Sequence, residues 1–259
     1  AQSVSEGLEC IYDPSLTGGI ADLLSDLFLV TDVADYQEAL DQLSGQAYAQ
    51  YMQSFQSLGV HYNDLLDKAT NCEVPALAGS VIECRASAPL HIWGQLDFQR
   101  RKVDGDLEAF DYRAKRMAAI VGIDTNFNGN TIVGASIGRV TNHVRERFLG
   151  DDIDADGFQV GAYGVFDPGA FYVKAMTTYN WYDGDSERFI DFTFPGATFG
   201  GTTRGDPDVN MWTFGLHGGA RFAMGANSAI TPYLNLDYVN VRMKEFIETG
   251  LDGANLHID

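Results

Sequence analysis

The chain has 259 residues, 45% of them apolar and 12% aromatic, with 28 glycines, which suits a packed, turn-rich β protein and excludes a disordered one. Its formal charge of −19, from 36 acidic against 17 basic side chains with no basic stripe, excludes nucleic acid as a partner. No apolar run is long enough for a transmembrane helix, but a membrane β-barrel, whose strands alternate, is left open.

In chain order, residues 1–7 (AQSVSEG) have neither the basic nor the apolar region of a signal peptide, and residues 20–30 (IADLLSDLFLV) read as a short helix. Residues 35–68 carry Tyr36, Leu40, Leu43, Ala47, Tyr51, Phe55, Leu58, Tyr62 and Leu65 at three- and four-residue spacing. That period predicts one helix of about 50 Å. Asp35 is placed to cap it, Gly45 and Gly59 are its weak points, and its other face is Gln, Ser and Asp. Cys72 and Cys84 flank a short Gly/Pro/Ala segment and are the candidate disulfide, with two free thiols as the alternative. No C-x-x-C occurs and the five histidines are scattered, so no metal site and no cofactor are expected.

From residue 90 the period becomes two. Candidate strands are 90–98, 111–127, 131–144, 158–166, 170–182, 211–222 and 230–241, mostly longer than soluble strands and suited to a tilted bilayer crossing. In 170–182 one face is Phe171, Val173, Ala175, Thr177, Tyr179 and Trp181, and the other includes Lys174 and Asn180. In 211–222 an apolar face opposes Thr213, Gly215, His217, Gly219 and Arg221. Apolar faces ending in aromatics opposite His, Lys, Arg and Gly place lipid outside, with Gly134, Ser136, Gly138, Lys174, His217 and Arg221 facing the lumen. Connections after the first alternate short and long: Asn128-Gly129-Asn130, the stretch after Val144, Asp167-Pro168-Gly169, then Asp183 to Asn210. Tight periplasmic turns and longer outer loops are the pattern of outer-membrane barrels. Trp93, Trp181 and Trp212 are candidates for an interfacial belt, with buried packing as the alternative.

Three motifs invite enzymatic or metal readings. Gly134-x-Ser136-x-Gly138 has the spacing of a nucleophile elbow, but such an elbow needs a strand, a sharp turn and a helix. Ser136 falls mid-strand, so the esterase reading is the minor one and no catalytic residue is assigned. Gly184-Asp185-Ser186 lies in a stretch read as a polar loop. Asp152-x-Asp154-x-Asp156-Gly157 opens like a calcium loop, yet the position for its bidentate Glu is Tyr163, so an acidic surface loop is expected.

Three stretches resemble the C-terminal translocator of classical autotransporters, the type V secretion family. They are EALDQLSGQAYAQYMQSF (38–55), HIWGQLDF (91–98) with its Trp93-Gly94 pair, and ITPYLNLDYVNVRMKEFIETGLDGANLHID (230–259). The resemblance implies an all-β transmembrane barrel of twelve antiparallel strands, of which seven and the start of an eighth (Asn255–Asp259) fall here. It implies that the helix is a linker threading the pore, lined by Tyr36, Leu40, Leu43, Tyr51, Phe55, Leu58 and Tyr62. It divides the chain into the end of a passenger (1–34), the linker and a pre-barrel loop (35–89), and a barrel (90–259) that continues downstream. The expected function is anchoring in the Gram-negative outer membrane and export of an N-terminal passenger. The partners are outer-membrane lipid, the passenger and the outer-membrane barrel-assembly machinery. With no Asn-Asn pair at 35–70, autocleavage is not expected. A porin-like outer-membrane barrel is the alternative function, and a soluble lipid-binding barrel a lesser one.

Overall fold

The computed structural model describes residue 15 and residues 17–70, 90–105, 111–147, 150–192, 199–225 and 228–259. Cys72 and Cys84 lie outside the described residues.

Three helices lead the chain: α1 (Gly19–Leu29), α2 (Val33–Leu43) and α3 (Gln46–Thr70). The single helix expected over 35–68 divides at Ser44–Gly45. Ser44 is extended, and its amide and hydroxyl both donate to the Asp41 carbonyl, at 3.1 and 2.7 Å, closing off the last turn of α2. Asp32, not Asp35, caps α2: its carboxylate accepts the amides of Ala34 and Asp35. Gly59 does not break α3. A Cβ there would stand 2.5 Å from Val239 Cγ1, so this glycine permits close approach of helix and sheet.

The sheet is antiparallel. Its strands are β1 (Leu90–Val103), β2 (Tyr112–Phe127), β3 (Thr131–Glu146), β4 (Asp152–Phe166), β5 (Phe171–Asp191), β6 (Gly200–Gly205), β7 (Val209–Ala220) and β10 (Tyr233–Met243). The order is β1-β2-β3-β4-β5-β7-β10, with β6 paired to the far end of β5. Among the described residues β1 and β10 pair on one side only, so the sheet is open between them. Between β7 and β10 the chain makes a separate small hairpin, β8 (Phe222–Gly225) with β9 (Ser228–Ile230). The candidate strands 211–222 and 230–241 are therefore each interrupted, at Arg221 and at Thr231-Pro232, where Pro232 offers no amide to a ladder. After β10, β11 (Phe246–Ile247) pairs with β12 (His257–Ile258).

At one end the strands turn tightly. Asn128 and Gly129, in the three-residue turn between Phe127 and Thr131, have φ of 55° and 77°, left-handed conformations that Asn and Gly tolerate. In the next such turn Asp167 accepts the amide of Gly169 at 3.0 Å. At the other end, most of what reads as long loops is strand. β3 and β4 meet across only residues 147–151, and β5 runs to Asp191. The period of two simply continues: Tyr182, Ser186, Arg188 and Ile190 are buried, while Asp183, Asp185 and Glu187 are exposed. The Asp152–Asp156 motif is likewise part of β4, not a loop.

The two sheet faces differ sharply. The outer face exposes Ile92, Leu96, Phe98, Val121, Ile123, Val133, Ile137, Phe158, Phe166, Phe171, Trp181, Trp212 and Phe214. The inner face buries polar and charged side chains, among them Asp124, Asn142, Gln159, Lys174, Thr178, Asn180, Thr213 and His217. A water-soluble sandwich does the opposite. Outer aromatics gather at two levels. Phe166 and Phe171 stack at the tight-turn end, 5.8 Å between centroids, and Phe158, Tyr179, Trp181 and Trp212 cluster farther along. Phe171 and Trp181 are ten positions apart on β5, which for a strand tilted by about 40° spans roughly 25 Å, the height of an outer-membrane apolar band. Of the three belt candidates, Trp93 takes the buried alternative. It turns to the inner face, donates its Nε1–H to Tyr163 Oη at 2.6 Å, and has its ring on the bare backbone of Gly122.

Candidate functional site

α3 lies on the concave inner face and touches every strand of the main order. His61 Nε2 is 2.8 Å from Asp97 on β1. Arg116 on β2 donates to the Ser54 carbonyl at 2.5 Å, and Ser54 Oγ to Asn142 on β3 at 3.1 Å. Leu66 packs with Tyr163 of β4 and Met176 of β5. Asn63 accepts from Thr213 on β7 (2.9 Å) and donates to Asp237 on β10 (2.7 Å). One helix can meet all of these strands only if the sheet curls around it.

At 25 residues, α3 is about 37 Å long, enough to cross a bilayer core. It is not a membrane-type helix: no described helix is apolar and long enough to span a membrane by itself. Its aromatic stripe is buried instead against the sheet. Tyr51, Phe55, Leu58 and Tyr62 are fully buried with Tyr112, Ile120, Val140, Tyr182 and Met211. The Phe55 ring sits 4.6 Å from that of Tyr182, and Tyr62 Oη lies 3.2 Å from Tyr182 Oη. The other three residues expected to line the pore helix, Tyr36, Leu40 and Leu43, belong to α2. The break at Ser44 carries α2 to the end of β5, where Leu43 packs with Leu23 and Leu27 of α1 and with Ile190 and Phe192, and Tyr36 flanks them.

The residues expected to face the lumen divide in two. Gly134, Ser136, Gly138, Lys174 and His217 sit on the buried inner face. Gly134 makes room for a neighbouring strand rather than for the helix, since its missing Cβ is replaced by the Tyr163 ring. Lys174 donates to Asp67 of α3 at 2.9 Å, and His217 lies between Asp67 (3.2 Å) and Asp237 (3.3 Å). Arg221 is beyond the end of β7, half-exposed, and makes a two-pronged pair with Asp167 at 2.7 and 2.8 Å. It joins the β4–β5 turn to the β7 end instead of entering the concavity. That pair holds the Asp167 carboxyl below the usual range.

At the opposite mouth is a buried ion pair that the sequence did not single out. Arg188 on β5 meets Glu248 at 2.7 and 2.9 Å. Arg188 also donates to the carbonyls of Gln42 (2.8 Å) and Ala254 (3.0 Å). Glu248 accepts from Tyr48 Oη (2.6 Å) and from the Leu256 amide (2.8 Å). One site thus ties α2, α3, β5 and the segment after β10 together. Burial acts to raise the Glu248 carboxyl, but the Arg188 hydrogen bond and charge outweigh it and hold it below the ordinary glutamate value. Nearby, burial raises Asp151 to about 6, against the Phe189 amide it accepts and the Arg188 charge. The signal for Arg188 was the period of two running on past Trp181.

Neither motif with an enzymatic look builds a site. Ser136 is mid-β3, 8% exposed, and its Oγ has no hydrogen-bond partner. Ser186 is engaged by Tyr48 Oη and the Gly205 carbonyl. Asp152 and Asp154 flank His143 Nδ1, at 3.2 and 2.6 Å, on the outer face.

Comparison with known proteins places this architecture. Residues 92–259 match the family model of the autotransporter beta-domain. Outer membrane protein B of Rickettsia prowazekii (strain Madrid E) is 27% identical over 206 residues, 73% of this chain and 12% of that protein. An extracellular serine protease of Serratia marcescens is 25% identical over 224 residues, 85% of this chain and 20% of that protein. The chain therefore spans a fifth or less of these relatives. The translocator domain of the autotransporter NalP from Neisseria meningitidis shares the fold, with a TM-score of 0.62 at 16% identity, over 80% of this chain and 65% of that one. An outward apolar band, a polar inner face holding a helix, and a family match over residues 92–259 together mean that this chain belongs to the autotransporters, as a β-domain of the Gram-negative outer membrane.

Proposed function

We propose that this domain anchors a longer protein in the outer membrane and exports an N-terminal passenger through its barrel, with α3 left in the pore as the linker. The observation that carries this is the direction of α3. Its C-terminal half, at Asp67, meets Lys174 three residues from the tight-turn end of β5; its N-terminal part, at Tyr48, meets Ser186 near the other end. Tight turns are periplasmic in bacterial barrels. A chain entering α3 from its N-terminus therefore comes from the cell exterior, and α1 and α2 sit at that mouth. Passenger sequence before α1 would be outside, and the chain after α3 would return to the periplasm to begin β1.

The polar anchors along α3 suit this role. Ser54, Asn63 and Asp67 bond to the sheet by hydrogen bonds and ion pairs, which water can replace one at a time. A wholly apolar seam would resist passage of a polypeptide. Insertion of the sheet would fall to the outer-membrane barrel-assembly machinery, because a strand edge in lipid leaves backbone groups unpaired until neighbours join. The domain itself performs no chemistry in this reading.

The test is an epitope tag placed just before α1 in the complete protein, read on intact cells with antibody and protease. Surface exposure is expected, with loss of the signal on depletion of the assembly machinery. A tag reachable only after permeabilisation would sink the proposal.

A further inference from the structure

Along each of these strands the outer face passes from apolar to polar: Phe98 to Arg100, Met117 to Lys115, Ile137 to Arg139, Phe158 to Asp156, Trp181 to Asp183, Trp212 to Asn210; on β1 and β2 the change falls in register, Phe98 across from Met117 and Arg100 across from Lys115. This is the upper limit of the apolar band. The charge just beyond it is segregated. β4 and β5 present Asp152, Asp154, Asp156, Asp183, Asp185 and Glu187, whereas β1 to β3 present Arg100, Lys102, Arg113, Lys115 and Arg145, with Arg139 farther along β3 across from Ala119. In a chain of net charge −19, such a cationic patch needs a reason.

Its internal geometry supplies one. Arg100 stands directly across from Lys115, Lys102 from Arg113, and Arg113 from Arg145. Like charges opposite one another on the same sheet face are destabilising. Acids are present on β4, where Asp152 stands directly across from Arg145, but β1 and β2 lie beyond them. Arg139 reaches Asp156 only at 3.8 Å, and Lys102 bonds to Asp104. Among the described residues no carboxylate lies within ion-pair range of Arg100, Arg113 or Lys115. The repulsion would be offset by an external anion with several negatively charged oxygens, which Arg binds bidentately.

We propose that this patch is a binding site for the phosphate groups of phosphorylated lipid in the outer leaflet. The position selects a lipid over a free anion. The patch begins one side-chain pair above Phe98 and Met117, so its occupant would have acyl chains against the band and phosphates at the guanidinium level. Clusters of four to eight Lys and Arg beside a membrane have this preference. The assignment rests on the orientation argued for the function, with the tight turns on the periplasmic side. It is read on purified protein, independently of passenger display.

The test uses the full-length protein in detergent, titrated with diphosphorylated lipid A and followed by native mass spectrometry. Removing three cations, Arg100→Gln with Arg113→Gln and Lys115→Gln, is expected to weaken binding on the order of a hundredfold. The charge-keeping set Arg100→Lys with Arg113→Lys should bind within severalfold of wild type, showing that fold and patch survive. Asp183→Asn with Asp185→Asn should leave binding unchanged. Enzymatically dephosphorylated lipid A should bind as weakly as the triple variant, and inorganic phosphate should fail to compete. Equal binding by the triple variant, equal binding of dephosphorylated lipid, or full competition by inorganic phosphate would each overturn the proposal.

Discussion

Arg188 and Glu248, 60 residues apart, form a two-pronged ion pair in which both side chains are sealed from water, 1% and 0% exposed. A pair like this adds little over apolar packing, but losing one partner strands the other as a buried charge, at about 3–5 kcal/mol. Glu248→Ala should therefore loosen the mouth, releasing both the end of α2 and the segment after β10. The double variant Arg188→Met with Glu248→Leu should recover most of the loss. Heat-modifiability on gels reads both. The glutamate's lowered value gives the sign with pH: the stabilisation is complete above the ordinary glutamate range and is lost as pH falls through the lower folded value. A single variant as stable as wild type would contradict the pair's role.

Asp151 runs the other way. Raised by burial from 3.8 to about 6, it makes the folded form bind a proton that the unfolded chain has released. Its contribution therefore weakens as pH rises from about 4 to about 6 and is flat above. Asp151→Asn keeps an oxygen for the Phe189 amide and removes the titration. The variant should match wild type at pH 4 and exceed it in melting temperature at pH 8. A difference that does not change with pH would remove the argument.

Gly59 faces Val239 where α3 crosses β10, with Val239 Cγ1 and Cγ2 at 2.5 and 2.9 Å from the position of a Cβ. Gly59→Val should cost about 1–3 kcal/mol by overpacking. It should shift α3 and raise single-channel conductance in planar bilayers. Val239→Ala in the same chain should restore the wild-type value if the clash is the cause.

Ser136→Ala should leave folding and any esterase activity of the protein unchanged. The Ser136 hydroxyl is buried without a partner, so deleting it removes an unsatisfied group and stability should hold or rise slightly. A loss of ester hydrolysis in the variant would return Ser136 to candidacy as a nucleophile.

Much of this was readable from one dimension. Alternation at residues 90–182 and 211–241 located the strands because a sheet with unlike faces must repeat every two residues. The stripe from Tyr51 to Tyr62 located the helix by its own period. The misplacements have local causes. The acidic stretches at 152–157 and 183–191 look like loops by composition, because charge masks a period of two that continues through both strands. Trp93 is a belt candidate by residue type with buried packing as the alternative, and its parity with Gln95 and Asp97 selects the alternative. The break at Ser44, rather than at Gly59, was decided by contacts with the sheet.

By itself, the sequence determined where ribbon and helix lie and which faces are greasy, since periodicity is a local property of the backbone. Only the tertiary structure decided what each face meets. It set α3 against every strand, joined Arg188 to Glu248, and gathered Arg100, Arg113, Lys115 and Arg145 onto one outer face. These come from three strands; antiparallel pairing sets Arg100 across from Lys115 and Arg113 across from Arg145, because register, not sequence separation, fixes distance across a sheet.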